Sequence, residues 1–180
     1  MPRFIAYLRA INVGGHTVKM DALRAHFEAL GFTRVETFIA SGNVIFESSL
    51  EDTRQHEKQI EDFLLNALGY PVATFIRTPS ELVDIARYVP FSKDKLESAQ
   101  ALNIAFLAEP PAIEAQTRLM SLRSEIDDFH VHGREVYWLC RLKQSQSTFS
   151  NAVLEKTFRQ PSTLRGIATI QKMAARYGTN

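Results

Sequence analysis

The stretch Thr33–Ser48, TRVETFIASGNVIFES, decides the fold. Its first half alternates apolar and polar side chains, Ser41-Gly42-Asn43 supplies turn chemistry, and VIFES resumes the strand pattern. Two such runs around a Gly/Asn turn predict a β-hairpin. Upstream, RFIAYLRAI from Arg3 reads as a strand. Met20, Leu23, Phe27 and Leu30 then fall at helical spacing ahead of Gly31, a residue suited to closing a helix. Downstream, Ile60, Phe63, Leu64 and Leu68 make an apolar stripe that closes at Gly69, and YPVATFIRT is another strand. The resulting order is β-α-β-β-α-β. Thr78-Pro79-Ser80-Glu81 opens a further helix, with proline in its first turn, and Pro90 ends it.

The second half repeats the first. NIAFLAEPP from Asn103 echoes FIAYLRAIN from Phe4, and AIEAQTRLMSLRS takes the place of the first helix. IDDFHVHGREVYWLC from Ile126 echoes the hairpin, with His132-Gly133-Arg134 at its turn. A helix over Asn151 to Phe158 and a short strand around Ser162 to Arg165 follow. The closing IATIQKMAARYG shares Ala-Arg-Tyr with PSELVDIARYVP. Two copies of one unit explain this economically. The motif is ferredoxin-like, with helices over one face of an antiparallel sheet. The predicted class is therefore α+β: two tandem ferredoxin-like units, each with an extra helix. The units occupy 1–90 and 101–180, joined by the polar connector FSKDKLESAQ at 91–100. From Phe4 to Ile11 both alternating faces are apolar, Phe4 and Leu8 against Ile5, Tyr7 and Ile11, so the sheet face without helices is expected to be covered too.

At 180 residues, 45% apolar and 23% charged, the chain can bury a core without covalent staples. Its formal net charge of +1, with both signs interspersed, lacks the broad positive field of a dedicated duplex binder. Cys140, the single cysteine, cannot form an internal disulfide and fits a small buried hydrophobe in a reducing compartment. MPRFIAYLRAIN has no leader pattern and no apolar run reaches bilayer length, so a cytoplasmic location away from membranes is expected.

In this motif the first two strands run the same way and the third returns between them. The end of the first strand therefore meets the hairpin turn. Arg9, Asn12, Gly14, Gly15 and His16 are expected to converge on Ser41, Gly42 and Asn43, with Gly69 and Tyr70 on the same edge. Glycines let backbone N–H groups approach an anion, the following helix N-terminus is electropositive, and arginine binds oxygens bidentately. A small phosphate- or carboxylate-bearing ligand, or a partner, is the leading expectation for this rim. Structural punctuation stands beside it, because such turns exist mainly to accept positive φ. The Gly-Gly spacing matches neither the dinucleotide fingerprint nor the P-loop, and Arg9 can equally pair with Glu36 or Glu47.

Two alternatives accompany this reading. One is an enzyme that handles a phosphoryl or acyl group, with Arg9 and backbone amides stabilising charge and His16 as acid or base. The other is a module for single-stranded nucleic acid, which the charge balance does not favour as a partner. Ser41 near His16 lacks the nucleophile-elbow pattern and an orienting acid, so no catalytic residue is assigned. His130 and His132 share a strand face without an evident third ligand, so no metal and no cofactor are expected. Tyr137 and Trp138 point to opposite faces and read as packing residues, and QSQSTFSN from Gln144 reads as a loop before a helix.

LRAINVGG with Met20 and Leu23, TFIASGNVIFES and ELVDIARYVPF together resemble the bacterial domain-of-unknown-function family 1697 over essentially the whole chain. The resemblance implies tandem ferredoxin-like subdomains with no assigned activity. It carries over Arg9, Asn12, Gly14, Gly15, Ser41, Gly42, Asn43, Pro90 and Phe91. That family tends to show Thr-x-Arg-Asn-x-x-Thr near its end. Here TLRGIAT keeps Thr163, Arg165 and Thr169, a second and weaker rim, but places Gly166 at the asparagine and Ile167 at an adjacent aromatic.

Overall fold

The computed structural model describes residues 1–12, 14–39 and 42–179. Its first half runs β1 (Arg3–Leu8), α1 (Met20–Ala29), β2 (Thr33–Thr37), β3 (Asn43–Glu47), α2 (Thr53–Leu68), β4 (Thr74–Arg77) and α3 (Pro79–Arg87). After α4 (Lys93–Ser98), the second half runs β5 (Ala101–Phe106), α5 (Ile113–Met120), β6 (Asp127–His132), β7 (Glu135–Cys140), α6 (Asn151–Phe158), β8 (Thr163–Gly166) and α7 (Ile167–Tyr177). The strands form two four-stranded sheets of identical topology, β2-β3-β1-β4 and β6-β7-β5-β8, and every pairing is antiparallel. These are two tandem ferredoxin-like units, α3 and α7 being the extra helices. Compact packing divides the chain into Met1–Val83 with Met173–Asn180, and Asp84–Lys172. The divisions fall inside α3 and α7. No helix among the described residues is long and apolar enough to cross a membrane.

The elements form for local reasons. In α2, Asp52 accepts from the amides of Arg54 and Gln55, and Gly69 closes the helix at φ 81°, a conformation that costs glycine least. Ile60 and Leu64 face the core, as their spacing requires, and His56 and Glu57 are buried on the same helix. In α1, Leu23 and Phe27 are buried, whereas Met20, at the first turn, stays exposed. The polar connector contains α4, capped by Ser92, whose hydroxyl accepts from Lys95 N.

Strand ends differ from the periodic reading. β1 stops at Leu8 rather than running to Ile11, because Ala10 takes φ 52°, and β2 stops at Thr37 ahead of Ile39 at φ 58°. A left-handed residue interrupts an extended ladder, as Arg34 at φ 48° does at the register shift inside β2.

Phe4, Ala6 and Leu8 of β1 join Phe27, Phe46, Ile60 and Leu64 in the helix-side core, where Phe32 stacks on Phe46 at 4.3 Å. Ile5 and Tyr7, on the opposite face, are buried as well, so both faces of β1 are covered. In the second unit Trp138 packs on Phe149, with ring centroids 4.8 Å apart. Its indole N–H donates to Asp127 at 2.8 Å, and that carboxylate also accepts from Ser147 Oγ at 2.6 Å. Tyr137, on the other face, donates to the Ile85 carbonyl at 2.9 Å. Both aromatics are packing residues.

Side chains of the neighbouring helices satisfy backbone groups of the edge strand β4 and of Ser162, just before the edge strand β8. Glu61 Oε1 accepts from Thr74 N and Glu57 Oε1 from Ile76 N, each at 2.9 Å. Burial, opposed by the Thr74 amide, raises the Glu61 pKa above its ordinary value. In the second unit Glu155 Oε2 accepts from Ser162 N at 3.3 Å, and Asn151 Nδ2 donates to the Ser162 carbonyl at 2.9 Å. Such cover blunts an edge that would otherwise template pairing with another chain.

Candidate functional site

The rim grows out of the way β1 ends. Arg9 N donates to the Ala73 carbonyl at 2.9 Å, which carries β1's pairing one residue beyond the strand. Ala10 then turns left-handed and the buried Ile11 folds inward. Tyr70 Oη donates to the Ile11 carbonyl at 3.2 Å, and the Tyr70 ring stacks on His16 with centroids 3.8 Å apart. Asn12 Oδ1 accepts from Val18 N at 2.7 Å and closes the loop on itself. Gly14 and Gly15 take φ 67° and 84°, and a side chain added at either would meet open space. At the start of α1, Lys19 gives no side-chain cap, while Asp21 in the first turn counters part of the positive end.

The hairpin meets this loop. Phe38 N donates to the Asn43 carbonyl and Asn43 Nδ2 to the Phe38 carbonyl, both at 3.0 Å. Gly42, at φ 77°, accepts from Leu8 N at 2.8 Å. A Cβ on Gly42 would lie 2.8 Å from Ile11 Cγ2 and 3.1 Å from Leu8 Cβ, so the two segments touch through the absence of a side chain. Ser41 lies outside the described residues. The structure thus brings the Arg9–His16 loop, Gly42, Asn43 and Tyr70 to one edge. Asn12, Asn43 and Gly42 hold the turns, while Gly14, Gly15 and His16 are exposed. Of the carboxylates considered for Arg9, Glu36 meets Arg176 at 3.3 Å and Glu47 meets Arg3 at 3.8 Å and Arg34 at 3.6 Å.

The second rim is built differently. Thr163 and Arg165 are buried, and Arg165 Nη1 donates to Thr163 Oγ1 and to the Leu164 carbonyl, each at 2.8 Å. Thr169, in the first turn of α7, is half-buried. An asparagine at Gly166 would begin with a Cβ 3.9 Å from Asn103 Oδ1, an ordinary contact.

His130 and His132 belong to a cluster that sequence reading missed. Tyr88 Oη lies 2.8 Å from His130 Nε2, and the Tyr88 ring stacks on His132 at 4.0 Å. Burial, then His132, lowers the His130 pKa against the opposing pull of Asp128. No three His, Cys, Asp or Glu side chains among the described residues are placed to hold a metal ion. The shared Ala-Arg-Tyr was the available signal. In the first unit Tyr177 Oη donates to Glu36 Oε2 at 3.0 Å. Glu36 and His130 occupy the same ladder position, opposite Ile45 and Tyr137, which themselves face Ile5 and Ile104.

A family model described as protein of unknown function, DUF1697, matches residues 1–137. No curated protein matches the sequence. Among solved structures, the conserved bacterial protein SP0830 from Streptococcus pneumoniae superposes with a TM-score of 0.80, covering 99% of each chain at 21% identity. That likeness shows a shared fold.

Proposed function

The chain belongs to the DUF1697 family, and from that premise we propose that it is a binding protein for a small anion, phosphate- or carboxylate-bearing, at the rim of the Arg9–His16 loop and the Ser41–Asn43 turn. One observation carries this reading: of the left-handed non-glycine residues among those described, Arg34 sits at the register shift in β2 and Arg159 closes α6, while Ala10 and Ile39 lie on the two segments that form the rim. Ile39 is β-branched and 48% exposed, so full burial in the core does not impose its conformation. Left-handed backbone costs such residues about 1–2 kcal/mol, and strain of this kind collects where a ligand is met. Gly14 and Gly15 add closely approachable backbone amides, and Arg9 adds a guanidinium fork at the same edge. The single cysteine, Cys140, is buried, and a reducing compartment such as the cytoplasm is part of this reading.

The test is a thermal-shift titration with inorganic phosphate, phosphorylated metabolites and small carboxylates on the wild type and on Arg9→Ala. A ligand at about 100 times its Kd stabilises the native state by roughly 2.7 kcal/mol. That rise is expected to be lost in Arg9→Ala. Equal shifts in the two proteins would place the site elsewhere.

A further inference from the structure

We propose that the second unit carries a separate binding cleft for a small uncharged molecule, an apolar body bearing one amide, carbonyl or hydroxyl group. The cleft, open to solvent, offers about 310 Å³ between the end of α3, α4, the start of β5 and the first turns of α7. Small-molecule sites span about 300–1,000 Å³, so this one suits a single ring or a short branched chain rather than a nucleotide. Its walls are Val89, Pro90, Leu96, Leu102 and Ile167, with Gln100 and Gln171 as polar residues, and among the described residues no charged side chain lines it. An anion or cation entering it would lose hydration without a counter-charge, which separates its ligand class from that of the rim. Each glutamine amide supplies both a donor and an acceptor.

Two observations make the cleft a built feature. Its Tyr88 wall is fixed from behind, the hydroxyl held by His130 and the ring stacked on His132. A wall locked by a second layer of contacts is what an organised site needs. The repeat supplies the control. Val89 follows Ala-Arg-Tyr in the second unit, is 65% exposed and lines the cleft. Gly178 follows Ala-Arg-Tyr in the first, where a Cβ would lie 2.5 Å from Val83 Cγ2 and 2.4 Å from the Ala174 carbonyl. The first unit leaves no room for a side chain at this position, whereas the second carries a valine there, on the cleft.

The experiment is methyl NMR on the full chain, titrated with benzamide and, as charged controls, benzoate and benzylammonium, to about 10 mM. Benzamide is expected to give saturable shifts at Ala86, Ala99 and Leu102, with both charged analogues at least about ten-fold weaker. Gln100→Leu with Gln171→Leu should weaken benzamide about five-fold while leaving toluene unchanged, because only the amide contact is removed. Val89→Trp, at the exposed mouth, should abolish binding without changing the melting temperature, and Val89→Arg replaces it if the tryptophan variant folds poorly. Arg9→Ala should bind benzamide as the wild type does, which keeps this outcome independent of the rim. The inference is overturned by the lack of saturable shifts, by benzoate matching benzamide, by shifts outside the cleft, or by self-association that Val89→Trp abolishes.

Discussion

The two hairpin turns make the same bond by different means. Leu8 N donates to the Gly42 carbonyl in the first unit, and Leu107 N donates to the Arg134 carbonyl in the second, at 2.8 and 2.9 Å. The frame therefore requires the bond and not the glycine. Gly42 is needed because Ile11, carried by the long link from Arg9 to Lys19, fills the space where its Cβ would stand. The second unit crosses from β5 to α5 through the shorter Leu107–Ala112, stiffened by Pro110 and Pro111, and carries no glycine pair there. What the repeat shares is the frame, and what the first unit adds is its elaborated rim.

The largest expected effect breaks or upholds that distinction directly. Gly42→Ala combines a left-handed alanine with an overpacked contact and should cost about 2–4 kcal/mol. Gly133→Ala, at φ 59° with its nearest neighbour 3.7 Å away, should cost about 1 kcal/mol. Denaturant midpoints of the two variants check this, and equal losses would show that the Ile11 contact yields readily. Next come the edge carboxylates. Glu57→Ala leaves the Ile76 amide buried without its acceptor and should cost about 1–3 kcal/mol. Glu155→Ala should cost about 1 kcal/mol or less, because its bond to Ser162 N is longer at 3.3 Å.

A smaller difference lies in pH. His130 is held below its ordinary 6.5, chiefly by burial, so the folded state resists protonation. The stability it contributes is complete above pH 6.5 and declines as pH falls below that value. Tyr177 is pushed up to about 12 by burial and by its hydrogen bond to Glu36. Its contribution is complete below pH 10 and is lost as pH rises toward about 12. The equivalent latches should thus fail at opposite ends of the scale. His130→Gln is expected to flatten the acid limb of a stability profile, and ultraviolet titration should show a late tyrosine that Glu36→Gln moves earlier. The smallest effect is at the rim, where Ile39→Gly and Ala10→Gly should each stabilise the fold by up to about 1 kcal/mol. A gain in melting temperature accompanied by weaker anion binding would tie the strain to the site, whereas a gain with unchanged binding would detach it.

Element order, both hairpins, the repeat and the convergence of the opening loop on the hairpin turn were legible in the sequence, because each rests on local period or on the topology that period implies. Leu23 with Phe27 and Ile60 with Leu64 announce their helices by spacing alone. The roles of particular rim residues were not legible. Asn12 and Asn43 are candidate ligand groups in sequence, and the structure adds that each bonds within its own turn, which depends on Val18 N and the Phe38 carbonyl arriving within reach. Likewise Arg165, set down for a second rim, is buried against Thr163.

The chain's own pattern of apolar and turn residues determined two ferredoxin-like units and where their strands would meet, since hydrophobic period and glycine placement act over a few residues. Only the tertiary structure decided that Glu57 and Glu61 cap an edge strand, that Tyr88 and Tyr177 latch equivalent strands through different partners, and that Gly42 is a close contact as well as a turn. Those outcomes depend on polar atoms and side-chain volumes brought together from distant parts of the sequence, where burial makes a missing partner or an extra methyl group costly, and no local pattern records which atoms will meet.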